Sequence, residues 1–298
     1  VKGLKIALLN DFKKYAGAEV SIRNRLKEVP KDLTVDFITP DKALDFKNYD
    51  AFILENVTRF NFDFLANIVG KLPYVKVEHD YGYCALRNQI NCETCDFPCP
   101  VHTQPFIKLL YESALCVISA SPAHMEAQKV HLSGWKIKKH DFFLPAVYKN
   151  VKVPDVERKK NSVCYLGTLR AYKGIYDIMK EAHQKPKYHF DIAGRIGFVK
   201  PPFPENVSVV GEVEDKWKFL ASHEFFMHVP HMLDPCPLTV VEAILMGCKI
   251  VYNANVGTIS HPYKTRKEWV AASENAGINF WKQVTNTFQQ YLNNKTTM

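Results

Sequence analysis

The sequence predicts an α/β protein built from two doubly wound parallel sheets. Three observations carry that prediction. Short apolar runs alternate with amphipathic stretches along most of the chain, and strands separated by helices pair in parallel. The alternation stops once, at the polar and charged segment Lys149 to Asn161, and then restarts. The chain has 298 residues, enough for two domains of ordinary size.

Taken in order, Lys5 to Leu9 reads as the first strand, ended by Asn10-Asp11, and Ala18 to Ile22 opens a helix after the loop Phe12 to Gly17. Leu33 to Thr39 and Ala51 to Leu54 read as strands, Phe62 to Val69 as a helix, and Tyr74 to Glu78 as a strand. A cysteine-rich loop follows. Phe106 to Ser113 is then helical and Leu115 to Ala120 a strand. Ser121-Pro122 starts another helix, because serine caps free amides and proline is tolerated in the first turn.

After the linker, Ser162 to Leu166, Tyr188 to Ile192, Val207 to Gly211 and Phe225 to Val229 read as strands, with helices at Lys173 to Gln184 and Asp215 to Ala221. Asp234-Pro235-Cys236-Pro237 must be a turn, since two prolines exclude a helix there. Leu238 to Met246 is expected to be a helix closed by Gly247, and Lys249 to Tyr252 a buried strand. Phe280 to Leu292 reads as a last amphipathic helix. The expected division is residues 1–150, 151–279, and a final helical segment 280–298.

Composition narrows the class. Hydrophobic content of 47% with 23% charge describes a soluble globular chain. No apolar run approaches the roughly 20 residues of a membrane span. Leu4 to Leu9 is too short for a signal peptide and is followed at once by Asp11, so the expected location is the cytoplasm. The net charge of +8 is diffuse: residues 1–150 hold 20 basic against 17 acidic side chains, and residues 151–298 hold 19 against 14. Such a surface suits anionic ligands or an anionic membrane face. Peripheral association at the inner membrane face stays open, whereas a nucleic-acid partner is not expected without a concentrated basic face.

Four of the eight cysteines, Cys84, Cys92, Cys95 and Cys99, fall within sixteen residues. A CxxC pair with two neighbours can give four thiolates to a structural zinc ion. Without a leader, metal is favoured over disulfides. An iron–sulfur cluster fits the same count, and an oxidised clip also stays open. Cys116, Cys164 and Cys248 sit in or beside apolar strands and read as buried small residues.

The segment Asp234 to Tyr252, DPCPLTVVEAILMGCKIVY, concentrates the candidate chemistry. The helix start at Leu238 and Thr239, beside Cys236, offers free amides to an anion. Glu242, expected in about the first turn, adds an acceptor eight residues after Asp234. Diphosphate and ribose hydroxyls would match that pair.

Asp234-x7-Glu242 resembles the acidic-x7-acidic signature of retaining glycosyltransferases of the GT-B fold, family 4, with Asp234 in place of the usual glutamate. The resemblance implies two Rossmann-like domains facing a central cleft, with the last helix packing back toward the first. It also implies that Glu242 holds the donor ribose while Asp234 lies beside the donor sugar. Gly167-Thr168-Leu169-Arg170-Ala171-Tyr172-Lys173-Gly174 resembles the family's G-R-x4-K-G loop. There Lys173, with Arg170 displaced from the usual position by Thr168, would neutralise the departing diphosphate. His79, just past the strand Tyr74 to Glu78, matches a histidine that reaches the donor sugar. Ala16-Gly17-Ala18-Glu19 resembles the opening Gly-Gly-x-Glu loop in part, and Gly194 a turn where backbone meets nucleotide.

The activity so implied is transfer of a sugar, with retention, from a UDP- or GDP-sugar to a carbohydrate, lipid-linked or small-molecule hydroxyl. Front-face attack guided by the leaving phosphate would accomplish it. No Asp-x-Asp occurs in the sequence, and the resemblance implies no catalytic cofactor, lysine and arginine taking the metal's electrostatic part. A sugar-nucleotide epimerase, a DNA-modifying glucosyltransferase and a silent nucleotide-sugar-binding module are the alternatives.

Overall fold

In the computed structural model, residues 3–11, 17–84, 104–195 and 202–296 are described. The chain divides into two compact units, Val1–Val147 with Ser273–Met298, and Tyr148–Ala272.

The first unit is a six-stranded sheet. Its strands are β1 (Leu4–Leu9), β2 (Leu33–Ile38), β3 (Ala51–Leu54), β4 (Tyr74–Glu78), β5 (Cys116–Ser119) and β6 (His140–Phe142), in spatial order β2-β1-β3-β4-β5-β6. Every pairing is parallel. Each residue of β3, β4 and β5 is buried, as expected of central strands covered on both faces. Helices α1 (Gly17–Leu26), α2 (Phe62–Leu65), α3 (Pro105–Glu112) and α4 (Pro122–His131) link the strands. α4 starts as its sequence dictates: Ser121 Oγ accepts from the His124 amide at 3.2 Å, with Pro122 in the first turn.

The second unit holds β7 (Lys159–Leu166), β8 (His189–Ala193), β9 (Val207–Gly211), β10 (His223–His228) and β11 (Lys249–Tyr252), all parallel, in the order β11-β10-β7-β8-β9. Its helices are α5 (Ile175–Gln184), α6 (Lys216–Ala221) and α7 (Leu238–Leu245). Ile175 and Ile178 pack with Val163, Tyr165, Phe190 and Ile192 in one core. Arg158 donates to the carbonyls of Met246 and Gly247 at 2.6 and 2.5 Å, satisfying the end of α7. β11 corrects an expectation. It is an edge strand, and Lys249, Val251 and Tyr252 are exposed.

The final helix also departs from expectation. α8 runs Arg266–Thr296, starting fourteen residues before Phe280. Its start is a capping box: Thr265 Oγ accepts from the Glu268 amide at 3.2 Å, while Glu268 Oε2 accepts from the Thr265 amide at 2.9 Å. The later part of α8 belongs to the first unit, where Trp281 Nε1 donates to the Arg25 carbonyl at 2.7 Å. No helix among the described residues is long and apolar enough to cross a membrane.

Candidate active site

Sheet topology decides where the second unit can bind a ligand. Strand order reverses between β7 and β10, and in doubly wound sheets ligands settle outside the carboxyl ends at that switch point. β7 ends in the loop Gly167 to Gly174, and β10 ends at His228 before the turn holding Asp234. The two loops are pressed together. The His231 amide donates to the Tyr172 carbonyl at 2.9 Å. Gly174 has φ +80°, and a Cβ on it would lie 2.0 Å from the Val229 carbonyl oxygen. Gly194 similarly lets the end of β8 pass the first loop, since its Cβ would lie 2.0 Å from the Gly167 carbonyl oxygen.

This approach assembles a three-residue cluster. Lys173 Nζ donates to Asp234 Oδ2 at 2.6 Å, and His228 Nε2 lies 3.0 Å from the same oxygen. Burial pushes the Asp234 carboxyl up, but Lys173 and His228 more than offset this and hold it well below the usual carboxylate range. The backbone is fixed as well. Asp234 donates to the Asn255 carbonyl and accepts from the Gly257 amide, both at 2.9 Å, so the Asn253–Thr258 segment braces the turn. Burial pushes the Cys236 thiol up to about 12, while Thr258 Oγ donates to its sulfur at 3.5 Å. Cys236 is therefore a neutral packing group.

α7 follows directly. No side chain caps its start among the described residues, so the half-buried first turn at Leu238 and Thr239 keeps backbone donors for an anion. Glu242 is the fifth residue of a helix that starts at Leu238 as the sequence predicts, and it is 2% exposed. Lys216 Nζ donates to its Oε1 at 2.6 Å, and the Tyr148 hydroxyl donates to the same oxygen. Burial and the Glu242 charge raise the Tyr148 hydroxyl well above its ordinary range, so it stays protonated and remains a donor.

The first unit places His79 in a separate buried cluster. Its Nε2 lies 2.6 Å from Glu55 Oε2, and Arg25 Nη2 bonds both Glu55 oxygens at 2.8 and 2.9 Å. The Arg25 guanidinium also lies against the touching rings of Phe143 and Phe280, at 4.9 and 4.0 Å. Burial alone would raise Glu55, but Arg25 and His79 hold it ionised below the ordinary range. Glu55 thereby sets the ring orientation of His79 through Nε2.

No family model matches the sequence, and no curated protein matches it. Solved structures do. Anabaena Alr3699/HepE in complex with UDP superposes with a TM-score of 0.62 at 15% identity, over 99% of this chain and 100% of that one. AviGT4, a glycosyltransferase involved in avilamycin A biosynthesis, gives 0.54 at 15% identity, over 97% and 96%. WaaG, a glycosyltransferase involved in lipopolysaccharide biosynthesis, gives 0.53 at 10% identity, over 96% and 94%. These are GT-B glycosyltransferases. The chain has the GT-B fold.

Within the GT-B fold the other sequence candidates fall as follows. Arg170 is exposed, lies 5.9 Å from the Tyr172 ring, and has no anionic partner among the described residues. Gly17 opens α1, while Ala16 lies outside the described residues. Cys84 is buried just after β4, and Cys92, Cys95 and Cys99 lie outside the described residues. Among the described residues no three His, Cys, Asp or Glu side chains are grouped to hold a metal ion. Sequence reasoning overlooked His228, Lys216, Tyr148, Glu55 and Arg25. Two of these carry a readable signal, because His228 and Glu55 stand at or just past the carboxyl ends of apolar strands. Tyr148 and Lys216 carry none, lying just before the linker and on an ordinary helix.

Proposed function

We propose that this chain is a retaining glycosyltransferase acting on a nucleoside diphosphate sugar and a hydroxyl acceptor. The observation that supports it most is the meeting of Lys173, Asp234 and His228 at the switch point, with buried Glu242 on the helix that follows. Cleaving a sugar–diphosphate bond builds negative charge on the departing phosphate, and a fixed cation there lowers the barrier. Lys173 is that cation. The free amides of Leu238 and Thr239 face the same anion, with no metal required of the chain's own residues.

Glu242 accepts hydrogen bonds from two ribose hydroxyls in this reading, Lys216 and Tyr148 giving way or sharing the carboxylate. Asp234 and His228 form the polar wall beside the sugar. His79, oriented by Glu55, presents Nδ1 to a substrate hydroxyl. UDP-glucose is the first donor to try, since HepE is known in complex with it.

The test is a panel of UDP-, GDP- and ADP-sugars, scored by thermal shift and by nucleoside diphosphate released without acceptor. One donor should both stabilise the protein and release its diphosphate. Binding with an epimerised product, or with no turnover alongside any acceptor, would overturn the transferase. Glu242→Gln should weaken the nucleoside diphosphate by about 10- to 100-fold, the loss typical of a charge-assisted hydrogen bond, and leave its 2′,3′-dideoxy analogue unchanged. Equal weakening of both would remove Glu242 from the ribose.

A further inference from the structure

The first unit contains a cavity of about 220 Å³ that the donor chemistry does not use. It opens at the carboxyl side of β3 and β4, and its wall is mostly apolar: Phe60, Phe62, Leu65, Phe106, Ile107 and Leu110. Phe62 and Phe106 meet edge-to-face at 5.1 Å, and Phe62 is 54% exposed.

The floor carries Glu55 and Lys76, but both are already engaged. Glu55 is held by Arg25 and His79. Lys76 Nζ donates to the Glu55 carbonyl at 2.8 Å and the Val77 carbonyl at 3.0 Å, and is paired with Glu78. A floor whose charges are internally neutralised offers an incoming polar group little. The walls offer dispersion contacts and a dry surface. Cavities of about 150 Å³ lined by Leu, Ile and Phe take up benzene, so this volume suits a monocyclic aryl group or an alkyl chain of about six carbons.

We infer that this cavity is a binding site for the apolar portion of a ligand, an alkyl or aryl group of that size. Glu55 belongs both to this floor and to the His79 cluster, so the cavity adjoins that cluster. Calling that occupant the acceptor rests on the transferase reading; the cavity's preference for an apolar group does not.

The experiment uses the full chain without donor and measures the affinities of methyl, hexyl and phenyl β-D-glucopyranoside by calorimetry. Burying a single methylene gains about fourfold, so hexyl or phenyl glucoside should bind at least about fivefold more tightly than methyl glucoside. A chain preference alone assigns an alkyl occupant, a ring preference alone an aryl one. Ile107→Trp, which fills the cavity, should abolish the advantage. Phe62→Ala, at a position 54% exposed, should reduce it. A gap below about fivefold in the wild type, or a gap that survives in both folded variants, overturns the inference. Because no donor is present, a failed donor panel would leave this result standing, and a failed glucoside series would leave the donor reading standing.

Discussion

Replacing Lys173 by methionine separates a structural ion pair from a catalytic cation. Lys173 Nζ and Asp234 Oδ2 are 2.6 Å apart, with side-chain exposures of 29% and 11%. At that separation and an effective dielectric constant near 20, the gross Coulomb attraction is about 6 kcal/mol. Most of it is offset by the desolvation of both groups, and a fully buried pair broken on one side costs about 3–5 kcal/mol. Here Asp234 keeps His228 at 3.0 Å, and Lys173 is partly wet. The expected stability loss is therefore about 1–2 kcal/mol, a few degrees in melting temperature for a unit of this size. Loss of a cation that acts on a departing diphosphate should instead cost about 10²- to 10³-fold in turnover. Donor hydrolysis by wild type and Lys173→Met, measured well below either melting temperature, reads the two effects separately. A folded variant whose turnover falls less than about threefold would refute the catalytic assignment.

Three further outcomes follow from the geometry. Gly174→Ala should destabilise by at least about 3 kcal/mol, combining roughly 1–2 for the left-handed backbone with relief of the Val229 overlap; a loss under about 1 kcal/mol in urea unfolding would contradict the loop packing. Arg25→Met leaves Glu55 buried beside His79 alone and should cost about 3–5 kcal/mol, and a near-neutral melting temperature would contradict the cluster. Asp234 has a folded pKa below its unfolded one, so its pairing stabilises fully above about pH 4 and is lost as pH falls through the folded value. The gap in urea midpoint between wild type and Asp234→Asn should thus be wider at pH 7 than at pH 3. An unchanged gap would contradict the ionised pair.

The second unit was more legible than the first because its chemistry is local in sequence. Gly167 to Gly174 and Asp234 to Glu242 are short segments whose glycines, prolines and charges state their own geometry. The Arg25–Glu55–His79 cluster joins three elements, and nothing in any one of them marks its partners. Lys249 to Tyr252 was misjudged because an apolar pair between polar flanks looks the same on a central strand and at an edge. Neighbours, not composition, decide exposure there. The start of α8 was legible but overlooked: Thr265-Arg266-Lys267-Glu268 spells a capping box. Apolar periodicity does not mark that start, being weak across Arg266 to Ile278, where Gly277 lowers the helix propensity.

The hydrogen bond from Trp281 to the Arg25 carbonyl spans 256 residues of sequence. The first unit begins to emerge from the ribosome first, yet it is completed last. At roughly 5–20 residues per second, Arg25 waits about 13–50 s for the Phe280 ring that covers its guanidinium. The whole of Tyr148–Ala272 is translated in the interval. The nascent amino-terminal sheet therefore passes through synthesis with a charged pocket lacking its cover. A chain released before Ser273 would leave that sheet unfinished while every residue of the second unit had already been made.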